Sequence, residues 1–307
     1  SFVFQDYEKV SGHIKIPVWK LKKFVKGITA DNDLVMVEMA NRIVSHFLRN
    51  INGFDVPRWL KTYIDIKYSL AYKRRVKEIC RLNRKNAFTF EKAVAVEDFD
   101  FFYHRMYEPY IKSRYRETAV IEKYKPMLKE FTDRNSVIYF LLQNGSRIAG
   151  MYVGYIKGVP HGHALGVLDG SSEILKSGVT APLYYFALEE HYRKGENIMT
   201  LGGTSPFLND GLTRFKLSLR AKISDVTQQD SIMLKIIPSG TDEIRKFLKS
   251  NPFVFMEDKK MFCAVFSDEI HADSQELNAQ ENLYYDSNLA GIRFFTFNKE
   301  NSLTELI

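Results

Sequence analysis

The sequence predicts an α+β fold, and three observations predict it. The composition builds cores: 45% of the 307 residues are hydrophobic and 14% are aromatic, enough for one large domain or two smaller ones. The middle of the chain, from Ser136 to Ala221, reads strand, strand, strand, helix, strand, helix. Within it, the stretch IMTLGGTSPFLNDGLTRFKLSLRA (Ile198–Ala221) reads as a short buried strand, a glycine turn, a polar loop and a helix.

Taken in order, residues 1–16 read as one or two short strands around a Ser-Gly turn. Val18 to Lys26 sets Trp19, Leu21, Phe24 and Val25 against Lys20, Lys22, Lys23 and Lys26. That pattern suits a core-facing helix with lysines in water, or one that touches a membrane surface. Asp33 to Asn50 reads as a helix with a stripe of Val37, Ala40, Val44, Phe47 and Leu48. A short strand at Tyr63–Ile66 leads into YSLAYKRRVKEICRLNRKN, a helix heavy in Lys and Arg from Lys73 to Lys85. Seven cations cannot all face a core, so the helix has a solvated basic face, which can also bind phosphates. Ala87–Val96 reads as a strand and Asp98–Arg114 as an aromatic-rich helix.

Ser136–Leu142 and Arg147–Ile156 form a hairpin around Asn144-Gly145, the strongest two-residue hairpin signal. His161–Leu168 comes next as a third strand, and a helix runs from about Ser177 to Lys194. In the next stretch Gly202-Gly203 lets the backbone turn, Thr204 or Ser205 can cap the next segment, and Pro206 suits a first helical turn. Asn209-Asp210-Gly211 is a second turn signal. A further strand (Ser224–Ile237), a capped helix (Thr241–Ser250), a hairpin around Asp258–Lys260, a polar acidic linker (268–288) and a last strand (Ile292–Phe297) complete the reading.

Charge and motif content narrow the chemistry. The net charge is +7 and the pI about 9.1, which suits either an acidic partner or a lysine-rich solvated surface. The two cysteines, Cys80 and Cys263, sit in apolar segments and fit a reduced, cytoplasmic setting better than a disulfide framework. No apolar run reaches about 18 residues, so no transmembrane segment is expected. Walker A, G-x-G-x-x-G, G-x-S-x-G and H-E-x-x-H strings are all absent. His161 and His163, two apart on a strand, permit a metal pair, or line a cleft or a surface; no third ligand accompanies them, so no metal is expected.

The strings LGGTSPFLNDGLTRFK and FYHRMYEPYIKSR resemble motifs of the GNAT-related Fem-type and cellulose-biosynthesis-type acyltransferases. The resemblance covers about residues 62–267. It implies a GNAT-like mixed, largely antiparallel central sheet flanked by helices and splayed where the acyl donor enters. It implies three parts: a reduced N-terminal half-domain (1–61), the acyltransferase core (62–267), and an acidic linker with a C-terminal strand (268–307). The implied activity is direct transfer of an acyl group from a thioester such as acetyl-CoA or a longer acyl-CoA to a small-molecule, sugar or peptide amine. Lys216, the Lys of the Phe-Lys motif, is placed at the transfer centre, and Asp210 is a candidate to position the amine or act as base. Gly202, Gly203, Thr204, Asn209 and Gly211 are candidates to grip the donor.

In standard GNAT enzymes an Arg/Gln-x-x-Gly-x-Gly/Ala loop wraps the CoA pyrophosphate. The matching segment here is GSSEILKSGVTAP, where Gly178 and Ala181 echo the pattern and Lys176 is the one cation. Lys176 and Gly178 are therefore the pyrophosphate candidates, with an aminoacyl-tRNA or an acyl carrier protein as alternative donors. His104, Tyr107, Tyr110 and Arg114 are candidate acceptor contacts. A degenerate module that binds tRNA or a carrier protein without catalysis is the alternative to an enzyme.

Overall fold

The computed structural model describes residues 12, 14–39, 46–48, 51–93, 95–229, 232–267, 284, 288–298 and 303–306. The chain divides into two compact units, each described by itself. The first comprises Ser1–Lys61, Gly203–Phe215 and Lys222–Ile307, the second Thr62–Gly202 and Lys216–Ala221. The architecture is α+β, with two seven-stranded, mostly antiparallel sheets and helices about them.

The first sheet has the order β1-β10-β2-β11-β12-β13-β14. Its strands are β1 (Leu34–Met39), β2 (Phe54–Pro57), β10 (Met233–Pro238), β11 (Phe253–Glu257), β12 (Lys260–Phe266), β13 (Gly291–Phe297) and β14 (Leu303–Leu306). Only β12 and β13 run parallel among the described pairs of this sheet. Phe54 anchors the core, meeting Phe253, Phe255, Phe266 and Phe295 edge-on at ring separations of 4.9–5.8 Å. Lys235 is buried on β10 and pairs with Asp55, its cross-strand neighbour on β2, at 3.2 Å.

The expected helix from Asp33 is a strand at its start. Leu34–Met39 pairs with β10 from Leu34↔Pro238 to Met39↔Met233. Val35 and Met39 are buried and Val37 half-buried, while Met36 and Glu38 are exposed. That alternation is the period of a strand, and β-branched Val35 and Val37 favour it. Residues 46–48 are helical. Most of residues 1–16, where strands are expected, and most of the expected linker 268–288 lie outside the described residues; residues 12 and 14–16 are not in a strand.

The second sheet has the order β4-β5-β6-β7-β8-β3-β9. It contains β3 (Leu60–Asp65), β4 (Phe88–Lys92), β5 (Ser136–Gln143), β6 (Ser146–Ile156), β7 (Val159–Val167) and β8 (Ile198–Thr204). The short β9 (Lys222–Ile223) belongs to the first unit, where Ser224 N–H donates to Lys61 O at 2.8 Å. β4 to β7 form an antiparallel row, and β7 then pairs with β8 in parallel.

The aromatic rod runs from Val96 to Tyr115 as a helix, a π-helical stretch at Phe102–Tyr107, and a helix again. Two glycines let it lie flat on the sheet. A Cβ at Gly150 would stand 2.7 Å from the Phe102 ring, and one at Gly166 would stand 2.7 Å from the Met106 and Tyr107 backbone. Phe99, Phe102, Met106, Ile138, Phe140 and Tyr152 fill the core between rod and strands.

The Gly202-Gly203 pair is not a turn. Both residues continue β8, which runs on to Thr204. The next helix starts at Gly211, later than Pro206, and its cap is Asp210.

Candidate active site

β7 and β8 are parallel neighbours, nine and seven residues long, yet their register is a single pair, His161 opposite Thr200. Parallel strands normally share an evenly spaced ladder. Within the second unit the register joins them at His161 and Thr200.

Lys216 projects from the Gly211–Ser218 helix onto β8 just past its pair with β7. It is 3% exposed, and its Nζ donates to the carbonyls of Leu201 at 2.8 Å and Gly202 at 3.4 Å. Thr62 Oγ1 also donates to Gly202 O, at 3.3 Å. A buried ammonium needs such acceptors to offset its desolvation. The result is an ammonium held against the middle of β8, just past Thr200.

His161 stands beside it. Burial first, then His163 and Lys216, push its pKa down to about 4, so the ring is neutral near pH 7. The hydrogen bonds assign its tautomer. Thr200 Oγ1 donates to Pro160 O at 3.3 Å, which leaves that hydroxyl to accept from His161 Nδ1 at 2.7 Å. Nδ1 therefore carries the proton, and Nε2 presents a lone pair on the Gly202 side, 3.7 Å from where a Cβ would sit. Gly202 has φ +67° and keeps that space clear. His163 is the extra residue of a β-bulge between β6 and β7, where Tyr152 opposes Ala164 and Val153 opposes Gly162. Its ring is 5.7 Å from that of His161. Among the described residues no group of three or more His, Cys, Asp or Glu is placed to hold a metal ion.

Of the residues expected from sequence, Gly202 and Lys216 come together in the second unit, joined by His161, Thr200 and Thr62. The polar interruption of IMTL at Thr200 and the histidine on a strand are the signals for the first two of these additions; Thr62 carries none. Gly203, Thr204, Asn209, Asp210 and Gly211 belong to the first unit. There Gly203 lies against Trp59, with a Cβ position 3.4 Å from the Trp59 Cβ. Thr204 is buried and shares a 2.7 Å hydrogen bond with Thr213. Asn209 Nδ2 donates to Ser250 O and the Tyr284 hydroxyl. Asp210 Oδ1 accepts from the N–H groups of Leu212 and Thr213 at 2.9 and 3.1 Å, the work of an N-cap.

Lys176 is exposed at the end of a short helix, and Gly178, at φ +87°, turns the chain into the Thr180–Arg193 helix. On the aromatic rod, His104 is exposed and stacks on Tyr124. Tyr107 is buried, its hydroxyl accepting from Glu122 N–H at 3.0 Å. The buried Tyr110 hydroxyl accepts from the exposed Arg114 at 2.5 Å.

No family model and no curated protein matches this sequence. Solved structures to which the chain is similar include FemX, at 12% identity over 71% of this chain and 76% of that one, with a TM-score of 0.44. They include L-PGS from Bacillus licheniformis, at 12% identity over 70% of each chain and a TM-score of 0.41. A GCN5-related N-acetyltransferase from Kribbella flavida aligns at 13% identity over 75% of this chain and 77% of that one, with a TM-score of 0.34.

Proposed function

We propose that the chain is an acyltransferase of the GNAT-related, Fem-like kind, moving an acyl or aminoacyl group from a thioester or ester to an amine. The observation that carries this reading is the Lys216 ammonium, buried on the Leu201 and Gly202 carbonyls just past the His161–Thr200 pair of two parallel strands. The amine nitrogen attacks the acyl carbonyl, the C–S or C–O bond breaks, and the nitrogen's proton ends on the leaving sulfur or oxygen. Lys216 supplies positive charge where the carbonyl oxygen becomes negative, in surroundings that weaken it little. The neutral His161 accepts a hydrogen bond from the amine at Nε2 and so aims the nitrogen lone pair.

An acyl-CoA is the preferred donor. Lys176, Gly178 and the start of the Thr180–Arg193 helix, whose first turn has no acidic residue, would hold its pyrophosphate. The exposed cations of the Lys73–Asn86 helix favour an aminoacyl-tRNA as the second reading of the donor. Among the described residues no helix is long and apolar enough to cross a membrane.

The test is turnover of acetyl-CoA, longer acyl-CoAs and aminoacyl-tRNA with a panel of amines, in wild type and Lys216→Met. Removing one group that stabilises the developing charge should lower kcat roughly 100-fold with little change in KM. Equal turnover in the two proteins overturns the assignment. A raised melting temperature with CoA thioesters, and none with tRNA, selects the first donor.

A further inference from the structure

The residues just after Lys216 help to line a second concavity in the same unit. It encloses about 260 Å³, with Tyr72, Arg74, Arg75 and Glu78 on one side and Leu217, Ser218 and Arg220 on the other. Three guanidiniums meet one carboxylate there, and Glu78 is already held by Arg75 Nη1 at 2.6 Å. Arg75 Nε is buried and has no hydrogen-bond partner. A buried donor without an acceptor is rare in a folded protein and calls for an explanation. Arg74 pairs with no carboxylate among the described residues.

Arg220 adds an independent observation. It lies two residues past the Gly211–Ser218 helix with φ +62°, the left-handed conformation that glycine ordinarily fills at a helix end. An arginine there accepts strain that glycine would avoid. Its guanidinium lies 4.2 Å from the centre of the Tyr72 ring and 5.8 Å from that of Tyr68. A planar fork braced on aromatic rings is preorganised for a bidentate anion. The orphaned donor and the strained arginine both have a use if an anion enters.

We propose that this pocket binds a phosphate or pyrophosphate group. Arginine forks match phosphate oxygens in pairs, and the volume lies just below that of pockets that enclose whole small molecules. The phosphate is either inorganic or the end of a nucleotide whose remainder stays outside. The proposal does not rest on the acyl-transfer reading, although Arg74 and Arg75 lie on the helix assigned above to a tRNA donor.

Isothermal titration of the full chain with sodium phosphate, sodium pyrophosphate and ADP tests it. Saturable one-to-one binding of pyrophosphate is expected. Arg220→Gly and Arg74→Gln should each weaken it about tenfold or more. Arg81→Gln, on the same helix but outside the pocket, should change it less than twofold. Arg220→Gly relieves the left-handed arginine, so its melting temperature should not fall; if it does not fold, the exposed Arg74→Gln carries the test. ADP binding more tightly than pyrophosphate points to a nucleotide, and equal or weaker binding to the inorganic ion. No saturable heat with any of the three overturns the proposal. So does an Arg81→Gln loss as large as that of Arg74→Gln, which would mean diffuse attraction to a basic surface.

Discussion

Replacing Lys216 by Met removes the donor shared by Leu201 O and Gly202 O, so stability should suffer beside turnover. Losing the partner of buried carbonyls costs about 1–3 kcal/mol, readable as a lower denaturant midpoint. Asp210 makes the opposite kind of prediction. Its carboxylate caps two N–H groups. Asp210→Ala should therefore cost about 1 kcal/mol and lower the melting temperature by roughly 2 °C. Asp210→Asn keeps an oxygen for the cap and should restore most of that loss, so any remaining fall in turnover reports on charge alone. At this scale the sequence marked Lys216 through its Phe-Lys setting, but not its burial. Phe215, Leu217 and Leu219 outline an apolar face, and nothing local says that the lysine between them turns inward to two carbonyls. His161 was legible as a histidine on a strand; its tautomer depends on Thr200, thirty-nine positions away.

Among the elements, two glycines of β7 and one at a helix start allow a graded test. Gly166→Ala sets a Cβ against the π-helical backbone at 2.7 Å, and backbone cannot yield. The expected loss is about 3 kcal/mol. Gly162→Ala meets the flexible ends of Met151 and Met199 at 2.8 and 3.1 Å and touches Leu201 Cδ2 at 3.5 Å, and should cost about 1 kcal/mol or less. Gly211→Ala meets nothing within 4 Å on a helix and should be neutral or slightly stabilising. Chemical denaturation of the three variants gives the order directly. Hairpins were the most legible elements, because Asn144-Gly145 and Asp258-Lys259 write the turn into the sequence. The strand at Leu34–Met39 was misread because its partner, β10, is remote, and because Val37, Ala40, Val44 and Phe47 mimic a helical stripe. Gly202-Gly203 was misread as a turn because glycine signals freedom without saying how it is used; here it clears space beside His161.

For the whole molecule, acid should loosen the fold through two histidines, His161 and His191, held below their ordinary pKa. His161 is held down to about 4 by burial, His163 and Lys216, and His191 is also lowered, mainly by burial and against the pull of Glu196. Unfolded histidine takes its proton near pH 6.5. Below that pH the unfolded chain binds more protons at His161 than the folded one, so the stability tied to His161 falls from about pH 6.5 towards 4, and His191 adds a loss of the same sign. His161→Gln should flatten part of that slope in a melting-temperature series, while leaving stability above pH 7 little changed. The α+β class was legible from element order. The division into two sheets was not, since strands from both ends of the chain build one of them, and pairing between distant segments leaves no local mark.

That pairing has a consequence during synthesis. β1 is finished by Met39, but its partner β10 begins at Met233, roughly 190 residues later. At ordinary translation rates the nascent strand waits roughly 10–40 s for its neighbour. The β5-β6-β7 hairpins, by contrast, close on segments already emerged. While β1 and β2 wait beside the ribosome with their apolar faces uncovered, they are natural clients for a holding chaperone.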